Sequence, residues 1–401
     1  MTFKNIENYY KSEISKNKNI GLIIGNKTDY YASSTYIRLL SPLNELTDKY
    51  TFHIVDNETI QLFYEDLTEA NLKLDLIIIQ RDIILNPKFN NLEFLNLLFK
   101  MCKKNNIKII FDIDDDLINI DKTHIDYEIY NNVRSTLYYI INNSDIITVP
   151  TTILRQKLLE FNAKLTIIII PNTLINLWDF NSNFKKTTGL KSKKIIKIGY
   201  FGGNSHAQDI KLIENAIINT KLHFPNKKII LEVIGINKEL PDWMDKIIIP
   251  HNYNTSPNLI KHIKNLIYSI LQKFNIITGS LPFYSFVDWM KNEINWDIGI
   301  APLEDNNINQ SKSNLKYLEY TALGVPGIYS NIGPYKEIKN KNTGLVVNND
   351  SEEWEKSIIQ YIENDDLYIS TLNNAIKDVG RNYLVTNSTS IWETLLDKLL
   401  Y

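Results

Sequence analysis

Short β-branched runs separated by amphipathic stretches dominate the hydrophobic pattern of this chain. In the first half they are 20–25 (IGLIIG), 51–55 (TFHIV), 75–79 (DLIII), 107–113 (IKIIFDI), 145–149 (DIITV) and 166–170 (TIIII). Runs that are apolar on both faces predict buried parallel strands. Helical periodicity lies between them, most clearly over 92–105 (LEFLNLLFKMCKKN). After PNTLINLW (171–178) comes NSNFKKTTGLKSKK (181–194), which is polar, rich in lysine and without periodicity. The alternation restarts with 195–203 (IIKIGYFGG), 228–235 (KIILEVIG), 246–250 (KIIIP), 297–302 (DIGIAP), 327–330 (GIYS) and 344–347 (GLVV). The pattern predicts an α/β chain of two doubly wound, Rossmann-like domains in tandem. Their expected bounds are 1–180, a linker at 181–194 and 195–385, followed by a terminal helix over 386–401 that includes SIWETLLDKLLY.

Composition narrows the partners. The 401 residues are 44% hydrophobic and 22% charged, so each half can bury a core. A net charge of -2 gives no reason to expect nucleic acid. One cysteine, Cys102, excludes an intrachain disulfide framework and fits a reducing cytoplasm. The polar start, MTFKNIENYYKSEISKNKN, does not read as a signal peptide, and no apolar run approaches membrane-spanning length. The lysines at 185–194 read as a solvated linker, with peripheral contact to anionic lipid as the alternative.

The most informative stretch is 297–326, DIGIAPLEDNNINQSKSNLKYLEYTALGVP. It predicts a short buried strand, a polar loop and a helix from about Ser311, stopped by Gly324 and Pro326. Leu315, Leu318 and Ala322 would form the apolar stripe, with Lys312, Lys316 and Glu319 on a second face. A strand end leading through a loop to a helix start suits an anion, because free backbone N–H groups point there. IGYFGGNSH (198–206) offers a comparable place: Gly202 and Gly203 follow a strand and precede a helix expected near Asp209. Taken on its own, the glycine pair is equally a tight turn, and it is not the full dinucleotide fingerprint.

LKYLEYTALGVP, with the loop before it, resembles the donor-site segment of retaining glycosyltransferases of the GT-B fold, family 4 in particular. That resemblance implies that Lys312 holds the diphosphate of a nucleotide sugar and Glu319 its ribose. It places Gly202, Gly203, Asn204 and His206 at the first turn of the donor domain, and Asn309 and Ser313 beside the phosphates or sugar. Many family members carry a second Glu eight residues before the first. Here that position is Ser311, so either Asp305 or Asn309 substitutes from the loop or the sugar is held differently. In GT-B enzymes the terminal helix crosses back to the first domain, and the same is expected of this chain.

Residues 111–117, FDIDDDL, suggest a divalent metal when read alone, as does the DxD motif of the other glycosyltransferase fold. GT-B enzymes normally work without one, so the resemblance implies no metal and no cofactor. It makes Asp114, or Asp112, a contact to donor-sugar or acceptor hydroxyls, with helix capping as the structural alternative. In ASSTYIRLLSPL (32–43), Ser33 and Ser34 are candidate caps for a helix starting near Thr35, and Arg38 is a candidate sugar or acceptor contact. Gly333 in GPYKEI fits the loop after the donor helix.

The function implied is transfer of a sugar from a nucleotide diphosphate donor to a hydroxyl of a glycan, lipid-linked or glycoprotein acceptor, with retention. Its setting would be bacterial surface polysaccharide or glycoconjugate synthesis. Lys312 and Asp114 are the residues assigned to catalysis. Two rivals share the fold: a sugar-nucleotide epimerase, and a scaffold without activity, for which Ser311 is the best support.

Overall fold

The computed structural model describes residues 7–8, 17–27, 30–69, 73–180, 188–203, 206–236, 243–247, 281–336, 338 and 342–401. The chain divides into two compact units. One comprises Met1–Ile175, Gln310–Ser313 and Tyr383–Tyr401; the other comprises Asn176–Asn309 and Asn314–Asn382.

The first unit is built on a parallel sheet of β1 (Glu7–Asn8), β2 (Lys18–Ile23), β3 (Tyr50–Val55), β4 (Leu76–Gln80), β5 (Lys108–Asp112), β6 (Ile146–Val149) and β7 (Ile167–Ile169). The spatial order is β1-β3-β2-β4-β5-β6-β7, so the winding reverses between β2 and β4. The helices include α1 (Ile60–Thr68), α2 (Leu92–Lys104), α3 (Arg134–Asn143) and α4 (Thr152–Phe161). In α2 the Asn91 side chain accepts from the amides of Glu93 and Phe94, and Lys103 and Lys104 end the helix where its dipole favours cations. Phe94, Leu95, Leu98 and Cys102 form its buried face and join the core made by Ile77, Ile79, Phe111 and Ile147.

The second unit repeats the plan with β8 (Ile195–Phe201), β9 (Lys228–Ile234), β10 (Asp245–Ile247), β11 (Ile298–Ala301), β12 (Gly327–Ser330) and β13 (Leu345–Val347). Their order is β10-β9-β8-β11-β12-β13, again parallel, with the reversal between β8 and β11. Its helices include α5 (Glu214–His223), α6 (Phe283–Glu293), α8 (Leu315–Ala322), α9 (Ser351–Glu363) and α10 (Asp365–Asn382); α7 (Asn307–Ser311) precedes α8. All twelve strands expected from the sequence form, with small shifts at their ends, and residues 248–250 lie outside the described residues. So do 181–187, most of the expected linker.

One expectation about local structure changes. The helical segment after β2 begins at Ser33, and its N-cap is Ala32, which makes no side-chain bond. Neither serine caps it: Ser34 Oγ donates to Asp82 Oδ2 at 3.0 Å. The segment then widens into a π-helical turn over Tyr36–Leu40, all buried.

The last helix, α11 (Val385–Leu400), belongs to the first unit, as the resemblance implied. Leu384 forms a parallel bridge with Leu174. Thr389 Oγ1 donates to the Pro42 carbonyl at 3.0 Å, and Lys49 reaches Glu393 at 3.1 Å and Asp397 at 2.6 Å. Trp392 is completely buried, and its Nε1 donates to the Arg38 carbonyl at 3.2 Å. Removing that indole leaves a cavity, which costs about 3–5 kcal/mol in a core that relaxes only partly. Trp392→Ala is therefore expected to raise amide hydrogen exchange in β2–β7 while protection in β8–β13 is unchanged.

Candidate functional site

The second unit places its candidates at the carboxyl ends of β8 and β11, where the winding reverses and ligands of doubly wound sheets bind. Gly199 of β8 and Gly299 of β11 are register partners. A Cβ on Gly199 would lie 1.7 Å from the Trp296 ring, and one on Gly299 would lie 2.6 Å from the Tyr320 ring. The two aromatic rings fill the space that the glycines leave. Tyr320 Oη donates to the Ile300 carbonyl at 2.7 Å, and Tyr317 Oη donates to Asp378 Oδ2 of α10 at 2.8 Å. Helix α8 is therefore pinned on two sides.

That pinning alters the sequence expectation. Helix α8 starts at Leu315, not near Ser311, and 312–314 are non-helical between α7 and α8. Tyr317, Leu318, Glu319, Tyr320 and Thr321 are buried, whereas Leu315 and Ala322 of the expected stripe are only half-buried. Tyrosines carry much of the apolar packing here, and each hydroxyl just named finds an acceptor.

Glu319 is enclosed with them at 6% exposure. No hydrogen bond reaches its carboxylate among the described residues. Burial pushes it from its ordinary value of 4.5 up to about 8, against the pull of Lys316. An exposed i,i+3 surface pair with Lys316 does not describe this acid. Lys316 Nζ lies over the ring of Tyr200, 5.4 Å from its centroid, and 5.9 Å from that of Phe201.

The two glycines after β8 differ. A Cβ on Gly202 would meet the Tyr200 hydroxyl at 2.8 Å, and the Gly202 amide is spent on the Ile234 carbonyl at 3.0 Å. Gly203 is exposed, with nothing within 4 Å of a Cβ, so it is the one that leaves room for a ligand. Asn204 lies outside the described residues. His206 Nδ1 pairs with Asp209 Oδ2 at 2.6 Å. Asp209 Oδ1 accepts from the Glu304 amide at 2.7 Å and from Asn309 Nδ2 at 3.1 Å. The buried Asp209 thus ties His206 to Asn309 across the ends of β8 and β11. The sequence reading used Asp209 only as a helix start. Its spacing three residues after His206 is the signal that could have found it.

Gly333, at φ 46°, opens a 3-10 turn that ends in the buried Tyr335. Burial, with Asp209 and Glu319 adding to it, pushes the Tyr335 hydroxyl well up. Gly333 therefore shapes the same neighbourhood through Tyr335. Asp305 is exposed. Lys312 and Ser313 fall in Gln310–Ser313, the segment that groups with the first unit, where Asn172 Nδ2 donates to Ser313 Oγ at 2.8 Å.

In the first unit the acidic run does not converge. Asp112 is completely buried: Oδ1 takes Arg38 at 2.5 Å and Thr148 Oγ1 at 2.7 Å, and Oδ2 takes Arg38 Nε at 3.2 Å. Arg38 also donates to the Ile170 carbonyl and, at 3.1 Å, to Asn172. Arg38 and Asp112, expected as sugar or acceptor contacts, are instead committed to each other in the interior. Asp114 and Asp115 pair with Arg81 at 2.5 and 3.0 Å, and Asp116 pairs with Lys157 at 3.0 Å. Asp114 keeps some exposure, and burial pushes its carboxyl up against the pull of Arg81. Arg81 went unnoticed in the sequence because its acids come from another strand end.

No protein-family model matches the chain, and no curated protein sequence does either. Solved structures do. HepE of Anabaena in complex with UDP and glucose shares 12% identity at a TM-score of 0.58, covering 95% of this chain and 100% of that one. A glycosyltransferase from Rickettsia africae matches at 14% and 0.57, over 96% and 99%. Sucrose-phosphate synthase from Thermosynechococcus elongatus matches at 11% and 0.54, over 96% and 99%. The fold is GT-B. At these identities the likeness establishes architecture, and the chemistry has to be argued from the residues.

Two measurements check this description. Arg38→Met leaves Asp112 buried without its cation, which costs about 3–5 kcal/mol, so the denaturation midpoint of the first unit should fall sharply. For Glu319, a raised folded-state value means its contribution to stability is fully present below pH 4.5 and is lost as pH rises toward about 8. Glu319→Gln removes that titration. Its stability relative to wild type should rise between those pH values by roughly 4–5 kcal/mol and then level off.

Proposed function

We propose that this protein is a glycosyltransferase that moves a sugar from a nucleotide diphosphate sugar to a hydroxyl acceptor, with retention at the anomeric carbon. One observation carries the reading: Glu319, on α8 of a GT-B second unit, is a buried carboxylate that burial pushes up to about 8 and that no hydrogen bond reaches among the described residues. Burial disfavours the ionised form of this acid, and two ribose hydroxyls would supply the donors that favour it. The neighbours HepE, crystallised with UDP-glucose and with UDP, support a nucleotide sugar as the donor class.

In this reading Gly202 shapes the loop after β8, and Gly203 and Asn204 bring backbone to the diphosphate. His206 and Asn309, both held by Asp209, stand on either side of it. Lys312 and Ser313 serve the phosphates, and Asn309 or Asp305 takes the place of the acid missing at Ser311. Gly333 and Tyr335 line the sugar end. The bond from the anomeric carbon to the diphosphate oxygen breaks as the acceptor oxygen bonds to the same face. The departing phosphate oxygen accepts the acceptor's proton, so no side chain has to become covalently attached. Preorganised cations and amides stabilise the leaving charge without a metal. Asp114, set by Arg81 and partly exposed, is the acid of the first unit available to an acceptor or sugar hydroxyl. The acceptor would be a glycan, lipid-linked or glycoprotein hydroxyl in bacterial surface polysaccharide or glycoconjugate synthesis. The enzyme would work in the cytoplasm, in peripheral contact with the membrane where the acceptor is lipid-linked. Among the described residues, no helix is long and apolar enough to cross a membrane.

The test is calorimetric titration with UDP, GDP and dTDP in EDTA, beside Lys312→Ala and Glu319→Ala. One nucleotide should bind tightly, and each substitution should weaken it about tenfold or more, roughly 1.4 kcal/mol. Glu319 must ionise to accept two hydroxyl donors, so binding near neutral pH should also release protons, seen as a heat that varies with the buffer. Well-folded protein that binds no nucleotide would remove the donor site and favour a scaffold.

A further inference from the structure

We propose that the second unit carries a further anion site, apart from the strand ends described above, in which Thr343, Lys377 and Arg381 bind a phosphate group. It stands independently of the donor-site reading.

The site is a groove of about 390 Å³ between α10 and the turn that leads into β13, lined by Thr343, Asn374, Lys377, Asp378, Arg381 and Asn382. The five helix residues are spaced i, i+3, i+4, i+7 and i+8, which puts them on one face of α10. The turn forms the other wall and is tied to the helix. Asn342 takes a left-handed conformation at φ 52°, and its carbonyl accepts from Asn374 Nδ2 at 3.3 Å. Thr343 follows it and is 2% exposed, yet its hydroxyl has no hydrogen-bond partner among the described residues. Thr343 stands just before β13, at the amino end of the sheet, whereas the donor-site candidates stand at the carboxyl ends of β8 and β11.

The lining chooses the ligand. All six side chains are polar, so the groove suits a small hydrophilic molecule and not an apolar one. Lys377 and Arg381 lie one turn apart on the exposed side of α10, and like charges at that spacing repel unless an anion comes between them. Asp378 offsets their charge only in part. Its Oδ2 already accepts from Tyr317 Oη and its Oδ1 from Asn382 Nδ2, both at 2.8 Å. A guanidinium fork, an ammonium and a hydroxyl donor together match the several oxygens of a phosphate group. The Thr343 hydroxyl would supply its donor from the buried wall, where an unmade hydrogen bond is a cost to the fold. A phosphate bound there would also lie beside Asp378, the carboxylate that holds Tyr317 and with it α8.

The experiment is equilibrium dialysis with radiolabelled inorganic phosphate and, in a second arm, labelled glucose 6-phosphate. It compares wild type with Lys377→Met, Arg381→Met, Thr343→Val, Thr343→Ser, Lys312→Ala and Glu319→Ala. Both methionine variants should bind phosphate at least about tenfold more weakly. Thr343→Val, which keeps the shape of the buried side chain, should lose about threefold or more, and Thr343→Ser should stay near wild type because the hydroxyl remains. Lys312→Ala and Glu319→Ala should bind as wild type does. Tighter binding of glucose 6-phosphate than of phosphate would support the site and identify a sugar ester as its source; equal binding would support it with free phosphate. Failure of wild type to bind either probe, or binding that survives both methionine substitutions, would overturn the proposal. So would loss of binding in Lys312→Ala, which would move the anion to the donor site. Nucleotide titration of the Lys377 and Arg381 variants keeps the two readings separate, since the donor site can fail there while this one stands.

Discussion

Two glycines that face each other across the middle of the second sheet set the geometry on which the candidate site depends. Gly199 and Gly299 have no side chains on the face where Trp296 and Tyr320 lie, and any Cβ there would collide with a ring. The consequence is positional. With Tyr320 seated on β11 and Tyr317 tied to α10, helix α8 has no freedom to slide, which holds Glu319 in its buried place and Lys316 over Tyr200 and Phe201 at the end of β8. Aromatic residues usually add bulk to a core; here they act as a stop that fixes the register of α8. An alanine at either glycine would therefore be felt at Glu319 before it was felt in the sheet.

The first unit solves a different problem, that of charge within the fold. Arg38 enters a π-helical turn and meets Asp112 at the end of β5, where Thr148 and Asn172 complete the shell of donors and acceptors. A buried pair so fully satisfied is costly to break from one side, yet has little to offer a ligand. One strand further along, Arg81 is shared among Asp82, Asp114 and Asp115 and retains some exposure. The contrast separates an interior brace from a polar surface that a hydroxyl could join, although both come from the same acidic run.

The architecture was readable because buried parallel strands are short, β-branched and regularly spaced. All twelve expected strands sit in two doubly wound sheets, and the terminal helix returns to the first unit. What the linear pattern could not convey was side-chain commitment. FDIDDDL looks like one acidic cluster, but successive strand and loop residues point to different sides, so Asp112, Asp114 and Asp116 each meet a different cation. The start of α8 was misplaced because SKSNLKYLEY carries helical periodicity further back than the chain can use once Tyr317 and Tyr320 are anchored. Arg81 was passed over because Asp114 and Asp115 lie on another strand end, and Asp209 because its bonds to Glu304 and Asn309 are remote in sequence, although His206 stands only three residues before it.

In the proposed donor site, Glu319 is the point at which local stability and ligand recognition conflict. An enclosed acid that no hydrogen bond reaches among the described residues is a cost to the fold, and the neighbouring tyrosines do not remove it: Tyr320 donates to Ile300 and Tyr317 donates to Asp378. Sequences under selection for stability alone would relieve such a position with Gln or Leu. Retaining the acid makes sense when something binds there with donors to spare, because the free energy withheld in the empty state becomes binding free energy in the filled one. A ribose offers two hydroxyls in the right chemical form.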